Sequence, residues 1–134
     1  MKVFFYGLFM DKDLLLAKGL VPSFSQKAWV DNYALKIGER ASLVNEAGAR
    51  SYGVVMTLEQ TQVTELYADD GVKEYQPEKL IAVYQDGTEE DVICYNLPSH
   101  LIRGTNRAYA EKLLDVTTRL GFPDEFLAHV RSFV

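Results

Sequence analysis

Cysteine is almost missing from this chain: Cys94 stands alone, so no internal disulfide framework exists. Its setting, Val92-Ile93-Cys94-Tyr95, reads as a strand, which makes it a structural side chain compatible with a reducing compartment. Histidine is as scarce. His100 and His129 have no metal-ligand spacing to each other or to Cys94, and they do not form a Cys/His nucleophile pair. Long apolar runs are lacking too, so no segment is expected to cross a bilayer. The first apolar run stops at Asp11 and no small-residue cleavage site follows, so no signal peptide is expected and a cytoplasmic location is the default. The 14 Lys and Arg are outnumbered by 19 Asp and Glu, giving a net charge of −5. The cations are scattered rather than clustered, which argues against nucleic acid and anionic membrane as partners. Ser42, Ser51 and Ser99 lack a Gly-x-Ser-x-Gly elbow, and glycine-rich phosphate loops, repeats, low-complexity segments and linkers are all missing.

What is present is apolar and aromatic. The 134 residues suggest one domain, and 48% hydrophobic residues suffice for a real core. Eight tyrosines and seven phenylalanines suit a β-rich core first and an aromatic-lined pocket second. The stretch around which the rest is organised is Val3-Phe4-Phe5-Tyr6-Gly7-Leu8-Phe9-Met10-Asp11. An apolar strand runs into Gly7 and then into a residue able to start a helix. Such a junction gathers backbone N–H groups with no partners inside the helix, and they could hold an anion.

In chain order, Lys2–Tyr6 reads as a first strand and Asp11–Lys18 as a short helix, N-capped by Asp11 and stopped by Gly19. Phe24–Ile37 alternates, with a break in phase near Asp31-Asn32 that predicts two strand pieces joined by a bend or bulge. Ala41–Val44 and Ala49–Leu58 flank Asn45-Glu46-Ala47-Gly48, which reads as a hairpin loop. A capping box over Thr57–Gln60 predicts a helix from about Glu59 to Ala68, ending at Asp69-Asp70-Gly71. Leu80–Gln85 and Thr88–Leu97 are strands joined by Asp86-Gly87, a hairpin signal. Asn106–Leu120 has the one-face spacing of a helix, and Pro123 suits the start of a last helix through Val130. Strands in the middle and helices at the end make the α+β pattern.

Three stretches together resemble the γ-glutamylcyclotransferase-like family, including its AIG2-like branch. Phe5-Tyr6-Gly7-Leu8-Phe9-Met10 is similar to the family's Tyr-Gly-Ser-Asn or Tyr-Gly-Thr-Leu turn after the first strand. Gly53-Val54-Val55-Met56-Thr57-Leu58, a short helix, and Leu66-Tyr67-Ala68-Asp69-Asp70-Gly71-Val72 are similar to its Gly-Val strand followed by Leu-Asp-x-x-Glu-Gly. Tyr95-Asn96-Leu97-Pro98-Ser99, a long helix and Leu120-Gly121-Phe122-Pro123 are similar to its ending. The likeness runs over nearly the whole chain in order.

This resemblance implies a small mixed β-barrel with flanking helices and release of 5-oxoproline from a small γ-glutamyl amine or amino acid. It implies no metal and no organic cofactor. In that reaction the substrate's α-amine attacks its own γ-carbonyl. At neutral pH the amine is mostly protonated, so a positioned carboxylate takes its proton and returns one to the leaving nitrogen. Asp70 stands in the place of that acid/base. The Tyr6, Gly7, Leu8, Phe9 and Met10 turn would hold the substrate carboxylate, and Tyr75 and Tyr95 would line the pocket. Asp69 reads as a solvated charge, and Glu74 is a longer acid nearby. The sequence departs from the family at two places. Asp70 replaces a glutamate, shortening the reach by roughly 1.3 Å where about 1 Å can cost about a hundredfold in rate. Leu8-Phe9 replaces the polar pair, making the pocket more apolar. The alternative reading is a non-catalytic small-molecule-binding or regulatory module of the same fold. A third is an interaction domain whose cavity is filled by Leu8, Phe9 and Met10.

Overall fold

The computed structural model describes all 134 residues. Five strands close into a barrel: β1 (Lys2–Phe5), β2 (Phe24–Ile37), β3 (Ala41–Thr57), β4 (Gln76–Tyr84) and β5 (Glu89–Asn96), in the spatial order β1-β3-β2-β4-β5. Neighbours are antiparallel except β1 and β5, whose parallel pairing at Val3 and Ile93 closes the ring. Four helices surround it: α1 (Lys12–Ala17), α2 (Gln60–Leu66), α3 (Arg107–Arg119) and α4 (Asp124–Arg131). None of them is long and apolar enough to cross a membrane.

The first strand is buried on both faces, through Val3, Phe4 and Phe5, because one face points into the barrel and the other lies under covering elements. It sits close to β3 because Gly53 has no side chain. A Cβ there would come within 2.6 Å of the Phe4 ring. The long β2–β3 ribbon carries the predicted irregularity. Asn32 adopts a positive φ of 67°, and the register steps between Asp31 and Tyr33. Gly48 N–H donates to the Asn32 side chain at 3.1 Å.

Three boundary readings are corrected, the simplest being β4, which begins at Gln76 rather than Leu80. Asn45–Gly48 is not the hairpin turn. It is an outward excursion within one continuous strand, opposite Asn32, and the reversal lies at 38–40, between Ile37 and Ala41. Polar, glycine-containing residues mark both kinds of feature, so composition alone does not tell a turn from a bulge. The capping box of α2 uses Glu59 and Gln62 rather than Thr57 and Gln60. Elsewhere the local signals hold. Asp11 caps α1 through Asp13 N–H, Asn106 caps α3 through Tyr109 N–H, and Pro123 precedes α4. The Asp86-Gly87 turn joins β4 and β5 with Gly87 at φ 87°. Helix α3 packs on α4 and also meets the 3-10 turn Leu8–Met10, bringing the far end of the chain onto the first loop.

Candidate functional site

A cavity of about 270 Å³ opens at the end of the barrel where β1 leaves it. One wall is the run from Phe4 to Phe9. The opposite wall comes from Tyr67 and from Gly71, Val72 and Tyr75 of the loop after α2. Arg40 and Ala41 from the β2–β3 turn close one side, and Tyr109 of α3 another. Eleven of these fourteen lining residues are hydrophobic, and none carries a carboxylate.

The first wall is rigid for identifiable reasons. Tyr6 is buried, and its hydroxyl donates to the Tyr95 carbonyl at 2.7 Å. Gly7 is extended, with φ −105°, so its backbone does not require glycine. What requires it is Tyr109: a Cβ on Gly7 would lie 2.6 Å from that hydroxyl. The expected anion cradle loses two of its N–H groups: Met10 N–H and Asp11 N–H turn inward to the carbonyls of Gly7 and Leu8, each at 3.0 Å, and the Tyr109 hydroxyl lies against Gly7. Met10 does not line the cavity. It is 2% exposed and packs in the core.

The tyrosines form one aromatic group. Tyr67 stacks on Tyr95 with ring centroids 4.0 Å apart and meets Phe9 edge-on at 6.1 Å. Tyr95 therefore backs the wall from outside rather than lining the cavity, which corrects the expectation for that residue. Tyr75 does line it, and its hydroxyl donates to the Ala41 carbonyl at 2.5 Å. Burial raises the pKa of Tyr6, Tyr67 and Tyr75 above the usual phenol value. Tyr109 is pushed up to about 12 by burial, which the Leu8 contact partly opposes. All four are neutral at physiological pH and serve as hydrogen-bonding and packing groups.

Asp70 is not in this space. Its side chain is 95% exposed and faces solvent, 3.3 Å from Lys73. Asp69 is also outside, 3.8 Å from Lys18. The structure brings Gly71 and Val72 to the cavity and turns the aspartate just before them outward. The expected convergence of Asp70 with the Gly7 turn is therefore absent, and the acid/base role assigned to it lacks the geometry it needs. Glu74 lies beside the lining residue Arg40. It sits at the rim with its carboxylate 2.9 Å from Arg40.

Sequence reasoning missed Arg40, Tyr67 and Tyr109. Tyr109 reads as one position on the apolar face of a helix, and Arg40 as a turn residue. Only the closure of the barrel brings them together, and no local spacing signals it. Tyr67 lies inside the quoted Leu66–Val72 motif, so the resemblance had pointed to its neighbourhood.

The closed five-stranded mixed barrel with four helices is the γ-glutamylcyclotransferase-like fold. A solved γ-glutamyl cyclotransferase is similar over 100% of this chain and 88% of its own, with a TM-score of 0.80 at 15% identity. YkqA from Bacillus subtilis is similar at a TM-score of 0.76 and 17% identity, over 98% of this chain and 53% of the other. An uncharacterized protein from Homo sapiens gives 0.75 and 17%, over 99% and 87%. No protein-family model matches the chain, and no curated protein matches it.

Proposed function

We propose that this chain is a small-molecule-binding module built on the γ-glutamylcyclotransferase-like fold, with its cavity kept and the proton-transfer carboxylate of the cyclisation reaction gone. The observation that carries this reading is the lining itself. The cavity is aromatic, and no carboxylate reaches it. Without a carboxylate most of the substrate amine stays protonated at neutral pH, and no group returns a proton to the leaving nitrogen. The apolar walls favour a ligand that buries most of its surface, with a few polar contacts fixing its orientation.

The test is calorimetric titration with a panel of small aromatic and aliphatic compounds, together with melting curves. A ligand that binds the folded state raises the melting temperature in proportion to log concentration above its Kd. At least one compound is expected to bind wild type and to lose binding in Val72→Trp, where the indole fills the cavity. A panel with no binder, or binding unchanged by that substitution, would remove the reading.

The likeness to a γ-glutamyl cyclotransferase supports a second reading, an enzyme of that type acting on a γ-glutamyl amine. Release of 5-oxoproline from any γ-glutamyl compound would establish it. The proton-transfer group would then have to come from somewhere other than the position of Asp70 seen here.

A further inference from the structure

We propose that Arg40 is the anion-binding group of the cavity, and that the ligand is a small monocarboxylate with an apolar or aromatic body and no α-amine. This rests on the binding-module reading above and specifies its ligand.

Arg40 is the only charged residue in the lining. Its side chain is 28% exposed, and its guanidinium carbon lies 5.9 Å from the centre of the Tyr75 ring, so it forms part of the aromatic rim. A guanidinium has five N–H donors in a planar fork. In this structure only Nη1 is engaged, by Glu74 at 2.9 Å and more weakly by the Gly71 carbonyl at 3.5 Å. The Nε and Nη2 donors have no protein partner. Glu74 thus shows which chemistry fits: a carboxylate already occupies one side of the fork, supplied by the loop. Its side chain is 44% exposed, and pairs this open contribute little, so a carboxylate presented from inside the cavity can compete for the guanidinium.

The rest of the lining sets the body of the ligand. Phe5, Phe9 and Tyr67 offer ring faces and edges. The Tyr67 hydroxyl has no protein partner and adds one polar contact. A ligand ammonium, by contrast, finds no carboxylate among the lining residues and would lie beside the like charge of the Arg40 guanidinium. An α-amino acid is therefore disfavoured relative to the same acid without its amine.

The experiment compares three probes of similar shape by calorimetry: 3-phenylpropionate, 3-phenylpropan-1-ol and phenylalanine. The acid is expected to bind about 10- to 100-fold more tightly than the alcohol, the range of a charge-assisted hydrogen bond to a guanidinium, and more tightly than the amino acid. Arg40→Gln should erase the preference for the acid, read as the ratio of the acid and alcohol Kd values falling to near one. Glu74→Gln, which keeps the arginine and removes its competitor, should tighten the acid by about 1.5- to 5-fold and serves as the second variant if Arg40→Gln does not fold. Equal binding of acid and alcohol, or a preference that survives Arg40→Gln, overturns the ligand assignment and leaves the cavity reading standing. If none of the three binds and the wider panel is also silent, the cavity reading fails as well.

Discussion

The two walls of the cavity are built by different means. The N-terminal wall is fixed by burial. Its strand is covered on both faces, Tyr6 is tied to the Tyr95 carbonyl, and Gly7 is pressed against Tyr109. The loop wall is anchored at two points, the Tyr75 hydroxyl on the Ala41 carbonyl and Tyr67 stacked on Tyr95; between them it is held by short-range turns, Val72 N–H to Asp69 and Tyr75 N–H to Val72, and by surface ion pairs from Lys73 and Arg40. A side chain on the first wall cannot turn without disturbing the core. On the second wall Asp70 is exposed and paired only with a neighbouring lysine, so the core does not fix its direction. The fold is therefore carried by the wall with little freedom, and the chemistry of the acid depends on the wall with much of it.

Substitutions can break this contrast, and the largest effect is expected on the first wall. Gly7→Ala should cost about 1–3 kcal/mol through overpacking against Tyr109. Combining it with Tyr109→Phe should recover part of that loss, because the next ring atom is 3.9 Å from the added methyl, an ordinary contact. Chemical denaturation of the two single variants and the double variant measures the coupling, and strict additivity would refute the steric account. Next comes Tyr75→Phe, which removes the bond to the Ala41 carbonyl joining the loop to the barrel and should cost about 1 kcal/mol by the same method.

Alkaline pH acts on the tyrosines together. Their folded pKa values lie above the unfolded value near 10 because burial disfavours the phenolate. The stability they lend is complete below about pH 10 and is lost as pH rises through the folded values. Tyrosinate absorbance should therefore appear late, together with unfolding. Ionisation of these four at ordinary pH without loss of structure would contradict their burial. The smallest effect is expected on the second wall. Asp70→Asn should leave stability within about 0.5 kcal/mol of wild type, since an exposed side chain paired only with a neighbouring lysine contributes little.

The same contrast explains what could be read from the chain and what could not. Caps at Asp11 and Asn106, the Asp86-Gly87 turn and the phase break at Asn32 are local signals, and each appears in the structure where the residues indicate. The barrel was implied by the family resemblance that the three motifs carry; the order of strands and helices by itself reached only the α+β class. The site was legible only in part. Tyr6 through Phe9 and Tyr75 do line the cavity, whereas Met10 turns to the core and Tyr95 lies behind Tyr67. A strand-to-turn junction shows where the chain bends but not which of its residues rotate inward. The direction of Asp70 depends on the path of a loop whose exposed residues leave little trace in the pattern. Arg40 and Tyr109 reach the site across long sequence separations through barrel closure, which no window of neighbouring residues contains.

The central claim is that the cavity persists without the acid, and it is tested most directly by measuring 5-oxoproline in wild type and Asp70→Asn incubated with a panel of γ-glutamyl amines and amino acids. The account predicts no release above the protein-free control from either, and none from Asp70→Glu, whose longer side chain still starts from a backbone position facing solvent. Turnover by wild type that disappears in Asp70→Asn would contradict it, and would mean that the loop carries this aspartate into the cavity during the reaction.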